Sequence, residues 1–114
     1  MSALLMPVAA RIAAALNAAN GTAEHETAMR LMKVTEEAGE ASAAYIGMTG
    51  QNPRKNITHT TADVAEELCD VIIAATVALH SFTAAPAADL TAKLDAVARR
   101  LAGDAPGAMT HHLG

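Results

Sequence analysis

A chain of 114 residues with a net charge of −4 is the size of one domain and carries no basic stripe of the kind that grips nucleic acid. Hydrophobic residues make up 52% of it, yet most are alanine, and the aromatic residues are only Tyr45 and Phe82. Alanine buries little area, and burial is worth roughly 25 cal/mol per Å², so a lone chain builds a modest core. The composition therefore implies apolar surface covered by further copies of the chain, as a homodimer or homotetramer. The single Cys69 excludes an internal disulfide and points to a reducing, cytoplasmic compartment. No eighteen apolar residues run together, so no membrane span is expected. The apolar start Ala3-Leu4-Leu5-Met6 lacks a basic flank and is interrupted by Arg11, which argues against a targeting segment.

In chain order, Leu4, Leu5, Val8, Ile12 and Leu16 repeat at helical spacing and predict a first helix over 3–18. Pro7 suits its first turn, which would move the start to Met6, and Asn20-Gly21 ends it. Thr22 is the expected N-cap of a second helix from Ala23 to about Met48, with Glu24 and Glu26 at the positive end of its dipole. Met29, Met32, Glu36, Glu40 and Ala43 fall on one side of it, with Leu31, Val34 and Ala38 on another. Gly47 and Gly50 mark its end. Residues 49–60 form the one substantial polar loop, carrying Arg54, Lys55 and His59. Thr60 and Asp63 have the spacing of a capping box for a third helix over 61–83. Val64, Leu68, Val71, Ile72, Ala75 and Leu79 give that helix an apolar face, and Pro86 is expected to stop it. Asp89 is placed to cap a fourth helix over 87–102, with Leu90, Leu94, Val97 and Leu101 on one stripe. Arg99 and Arg100 fall in its last turn and Gly103 just past its end. No strand pattern and no repeat occurs. The expectation is an all-α single domain over 1–103, followed by a tail at 104–114 without periodicity.

Two acidic clusters stand out. Glu36-Glu37-Ala38-Gly39-Glu40 lies on the second helix and Glu66-Glu67-Leu68-Cys69-Asp70 on the third, and seven of the twelve acids fall within 36–40 and 63–70. Glu37/Glu40 and Glu67/Asp70 are each three apart, which places each pair on one helix face. A solvated surface explains a single acidic run. Two runs, the second leading into Val71-Ile72-Ile73, are better explained by a shared cation, because unpaired charge beside a buried face is costly. No glutamate has a histidine three residues later, as di-iron bundles require. An all-oxygen set favours Mg²⁺, with Mn²⁺ as the alternative, over zinc or iron.

Glu36-Glu37-x-x-Glu40, a polar loop with basic residues, then Glu67-x-x-Asp70 followed by Val-Ile-Ile-Ala-Ala, with 26 residues between the motifs and Lys33 just before the first, resembles the MazG-like all-α nucleoside triphosphate pyrophosphohydrolases. The resemblance covers roughly residues 25–101. It implies a four-helix bundle completed by oligomerisation. It also implies Mg²⁺-dependent cleavage of a nucleoside triphosphate, ribo or deoxy, to the monophosphate and pyrophosphate, in a house-cleaning role. By position, Glu37, Glu40, Glu67 and Asp70 would hold the metal and Glu36 would activate water or add a ligand. Some members carry a lysine a turn before the second motif where this chain has Asp63, so phosphate contacts would fall to Lys33, Arg54, Lys55 or Arg99. The alternatives are a metal-binding helical scaffold without turnover, or an alanine-rich bundle with solvated acids. His59 reads as a capping or surface residue, Cys69 as a small core residue, and Met29 and Met32 as packing.

Overall fold

The computed structural model describes residues 3–103, and all regular structure among them is helical. The helices are α1 (Leu5–Asn20), α2 (Glu24–Thr49), α3 (Thr61–Leu79) and α4 (Pro86–Gly103). The tail expected at 104–114 lies outside the described residues. None of the described helices is long and apolar enough to cross a membrane. The chain divides into two compact units, Met1–Phe82 and Thr83–Gly114, so α1 to α3 form one and α4 belongs to the other.

Most helix ends follow the local chemistry. Pro7 sits in the first turn of α1, where a backbone N–H has no helical acceptor to lose. Gly21 closes α1 at φ 79° and Gly50 closes α2 at φ 68°, both left-handed angles that glycine adopts at no steric cost. The capping box at the start of α3 is complete. The Asp63 N–H donates to Thr60 Oγ1 at 3.2 Å and the Thr60 N–H donates to Asp63 Oδ2 at 2.8 Å.

Three boundary expectations are corrected. The N-cap of α2 is Ala23, not Thr22, and no side chain caps it; Glu24 and Glu26 answer the positive end instead. Helix α3 ends at Leu79 rather than at 83. The N–H groups of His80, Ser81 and Phe82 donate to the carbonyls of Val77, Ala78 and Leu79, which tightens the chain into a turn and satisfies the last carbonyls. Pro86 does not stop α3. It is the first residue of α4, the position at which proline's fixed φ and missing N–H suit a helix, and Asp89 lies inside that first turn rather than ahead of it.

Within the first unit, α3 packs against both α2 and α1. The buried residues on α1 are Ala9 and Ala13, on α2 Arg30, Glu37, Ala41 and Ala44, and on α3 Thr76, Val77 and Ala78. Ile12, Leu16 and Ile73 pack around Ala9, Ala13 and Val77. The stripes predicted from the larger apolar residues are therefore displaced. Leu4, Val8, Met29, Leu31, Met32, Leu68 and Ile72 are all exposed, so the two methionines are not core packing as expected. Cys69 is exposed too, contrary to the expectation of a core thiol. The reason is size. Alanine at the contact lines lets helix axes approach closely, and the larger side chains are left on the flanks.

The loop between α2 and α3 folds back onto the end of α2. The Thr58 N–H donates to the Gly47 carbonyl at 3.0 Å, and a Cβ at Gly47 would overlap His59 Nδ1 and Thr58 Oγ1. Half-buried His59 thus packs on Gly47 while Thr60 and Asp63 supply the cap. Gly39, also on α2, has nothing within reach of a Cβ. The two glycines should respond oppositely to alanine. Gly39→Ala is expected to stabilise by about 0.5–1 kcal/mol through helix propensity, and Gly47→Ala to destabilise by about 1–3 kcal/mol through overpacking. Denaturant melts of the two variants check this.

Candidate metal centre and adjoining cavity

Buried positions of α2 recur at Arg30, Glu37, Ala41 and Ala44, so the stripe that faces the other helices carries charge as well as alanine. Glu37 is only 9% exposed, and it groups with half-buried Glu67 and exposed Asp70 of α3. One carboxylate oxygen from each of Glu37, Glu67 and Asp70 lies within 4.8 Å of the others. Glu36, Glu37 and Glu40 form a second such group, and Glu37 belongs to both. The four residues expected to hold a metal, with Glu36 beside them, are thus brought together at the α2–α3 contact.

The electrostatics of this cluster are unbalanced. Glu37 Oε2 and Glu67 Oε2 are buried without a hydrogen-bond partner, and such groups cost their full desolvation penalty. Glu40 is held above the ordinary carboxylate range, first by the negative charge of Glu37, then by lost hydration and by Glu67. Among the described residues the only ion pairs to these acids come from Lys33, which bonds Glu36 Oε1 and lies 3.2 Å from Glu37 Oε1. Those two contacts, Glu36 first, raise the Lys33 pKa. Lys33 is 55% exposed and answers the outer edge of the cluster, leaving the two inner oxygens unanswered.

An open cavity of about 630 Å³ adjoins the cluster, between α1, α2 and α3. Glu37, Asp70 and Lys33 form one part of its lining. Its walls are aliphatic, from Ile12, Leu16, Met29, Ile73 and Val77. Towards the start of α2 it is lined by Asn20, Glu26 and Arg30. Arg30 is 7% exposed and was not singled out by the sequence reading. Its Nε donates to Glu26 Oε2 at 2.8 Å, its Nη1 to Asn17 Oδ1 at 2.7 Å and its Nη2 to the Gly21 carbonyl at 3.0 Å. That bond from Arg30, the largest cause, holds the Glu26 carboxyl below its ordinary range. The available signal was the Glu26/Arg30 spacing of four, together with a position seven residues before Glu37 and hence on the same helix face.

The other expected substrate residues are placed differently. Arg54 and Lys55 are exposed in the loop, in none of the described ion pairs and not among the residues that line this cavity. The loop is tethered to Gly47, seven residues beyond Glu40 and so about 10 Å further along α2. Arg99 lies on α4 in the second unit, its Nε 3.4 Å from the Asp95 carbonyl oxygen.

Comparison of the chain with protein-family models, with curated proteins and with solved structures finds no match.

The crowding of acids gives a prediction with a definite sign. A carboxyl whose pKa is raised on folding stabilises the fold below its unfolded value, and loses that contribution as pH rises through the folded value. Metal-free Glu40→Gln should therefore melt at a higher temperature than the parent chain at pH 7. The difference should vanish as pH falls below the ordinary carboxylate value of 4.5. Thermal melts in chelator across pH 4–7 read this directly.

Proposed function

We propose that this protein is a Mg²⁺-dependent nucleoside triphosphate pyrophosphohydrolase acting as a homo-oligomer. The observation that carries the reading is the convergence of Glu37, Glu67 and Asp70 from two helices, with two buried carboxylate oxygens that have no partner, at the edge of a cavity of ligand size. The donor set fits the ion. All the candidate ligands are carboxylate oxygens, which suits Mg²⁺ or Mn²⁺, and a cation at Glu37 and Glu67 would answer the two orphaned oxygens. Glu37, Glu40, Glu67 and Asp70 are the residues that would hold it. When bound, Mg²⁺ neutralises phosphate charge and lowers the pKa of a coordinated water.

The rest falls to the chain's own groups. Exposed Glu36 takes the proton of the attacking water. The water oxygen bonds to the α-phosphorus, the bond from that phosphorus to the bridging oxygen breaks, and pyrophosphate leaves. Lys33, anchored between Glu36 and Glu37, presents its ammonium to phosphate oxygens at the mouth of the cavity. The oligomer is supported by exposed apolar side chains on adjoining helices. Tyr45, Ile46 and Leu68 are each more than half exposed and border a shallow, almost wholly apolar groove between α2 and α3. A patch of this kind marks an interaction surface.

The test is pyrophosphate release across a panel of ribo- and deoxynucleoside triphosphates with Mg²⁺. At least one should turn over. Glu37→Ala and Asp70→Ala should abolish turnover with helix content unchanged, and Glu36→Gln should lower kcat by about 10²–10⁴-fold. No turnover on any nucleotide would overturn the reading. In that case, stabilisation by Mn²⁺ would leave a metal-binding scaffold.

A further inference from the structure

The cavity beside the acids holds polar groups that the proposed chemistry does not use, Asn20, Glu26 and, buried among them, the guanidinium of Arg30. Resting on the reading above, we propose that this cavity is the nucleoside pocket. Arg30 reads a carbonyl oxygen of the base there, so the protein prefers bases that carry an oxo group over adenine.

About 630 Å³ lies within the span of roughly 300–1,000 Å³ typical of small-molecule sites. Because Glu37 and Asp70 line the same space, a molecule with its phosphates at the acids can place its organic end in this cavity. Ile12, Leu16, Ile73 and Val77 offer an apolar wall with no aromatic ring. Such a wall holds a flat ring by dispersion and distinguishes poorly between bases. Selection must come from the polar groups near the start of α2.

Arg30 is nine-tenths buried and lines this space. A guanidinium has five N–H groups and no acceptor, and three are spent on Glu26, Asn17 and the Gly21 carbonyl. Those bonds fix the plane and leave two N–H groups unspent among the described hydrogen bonds, on a residue that lines the cavity. Glu26 already answers the charge, so the ligand group need not be an anion. A carbonyl oxygen has two lone pairs and can accept from both N–H groups, whereas a ring nitrogen has one. An exocyclic amine, itself a donor, leaves the two N–H groups unpaired in a buried place, which is costly. Because the donors are held before the ligand arrives, little ordering entropy is lost on binding.

Hypoxanthine and adenine nucleotides differ only in the 6-substituent, oxo against amino, and in the N1 hydrogen that accompanies the oxo form, so the pair tests this contact. Calorimetric titration of the Mn²⁺-loaded chain with inosine monophosphate and adenosine monophosphate should show the oxo ligand binding at least about tenfold tighter, the scale of one good hydrogen bond. Arg30→Lys should bring that ratio close to one. Since Arg30 also ties α1 to α2, Ala74→Met is the second variant. It fills the cavity from α3 without touching the Arg30 bonds, and should weaken both ligands at least tenfold while Mn²⁺ still raises the melting temperature. Equal binding of the two nucleotides by the parent chain, or an unchanged ratio in a folded Arg30→Lys, would overturn the proposal. Undiminished binding in Ala74→Met would do the same. Because binding is read without turnover, oxo-selective binding by a chain that cleaves nothing upholds the pocket and sinks the enzyme. Cleavage with no base preference does the reverse.

Discussion

The close contact of α2 and α3 through alanine is the constraint on which the rest depends. Ala41 and Ala44 are buried on α2, which packs along α3, and side chains this small let two helices run near each other. Glu37 is carried into the contact with Glu67 and Asp70 opposite, and like charges are held closer than water would allow. The molecule thus places an electrostatic cost in the middle of a weak apolar contact. Lys33 offsets part of it from outside, and two inner oxygens remain to be answered.

A second polar anchor works in the opposite sense. Arg30 is buried and its three bonds go to its own helix, to α1 and to the connection between them: Glu26 one turn before it, Asn17 near the end of α1, and the Gly21 carbonyl. Through the bonds to Asn17 and the Gly21 carbonyl, Arg30 fixes how α1 enters α2. The cavity opens between this charge-paired cation and the unsatisfied acids, two turns apart on one helix face. Fixed donors at one place and uncompensated negative charge at another give the space a polarity that its aliphatic walls do not supply.

Much of the fold was legible in the residues because the signals were local. Asn20-Gly21, Gly50 and the Thr60/Asp63 box mark helix ends through backbone angles and short-range hydrogen bonds, and each does so in the structure. The grouping of Glu36, Glu37, Glu40, Glu67 and Asp70 was legible because the i, i+3 spacing fixes a face before any tertiary contact forms. What failed was the choice of buried face. On α2 and α3 the larger residues Leu31, Met32, Leu68 and Ile72 suggest a core, yet alanine takes the contact and they stay exposed. Hydrophobic periodicity weighs size, whereas close helix packing selects smallness. Arg30 was missed for a related reason: charge on a helix normally signals a solvated face. Pro86 was misread because proline ends one helix and begins another with equal local logic.

The central claim is that Glu37, Glu67 and Asp70 form a cation site rather than a strained surface, and a calorimetric titration of the metal-free chain with Mn²⁺ tests it most directly. Saturable binding is predicted, with a stability gain of about 2.7 kcal/mol at a hundredfold excess over Kd, and both should be lost in the Glu37→Gln, Glu67→Gln double variant. Failure of Mn²⁺ and Mg²⁺ to bind, with the double variant simply more stable than the parent, would contradict the account.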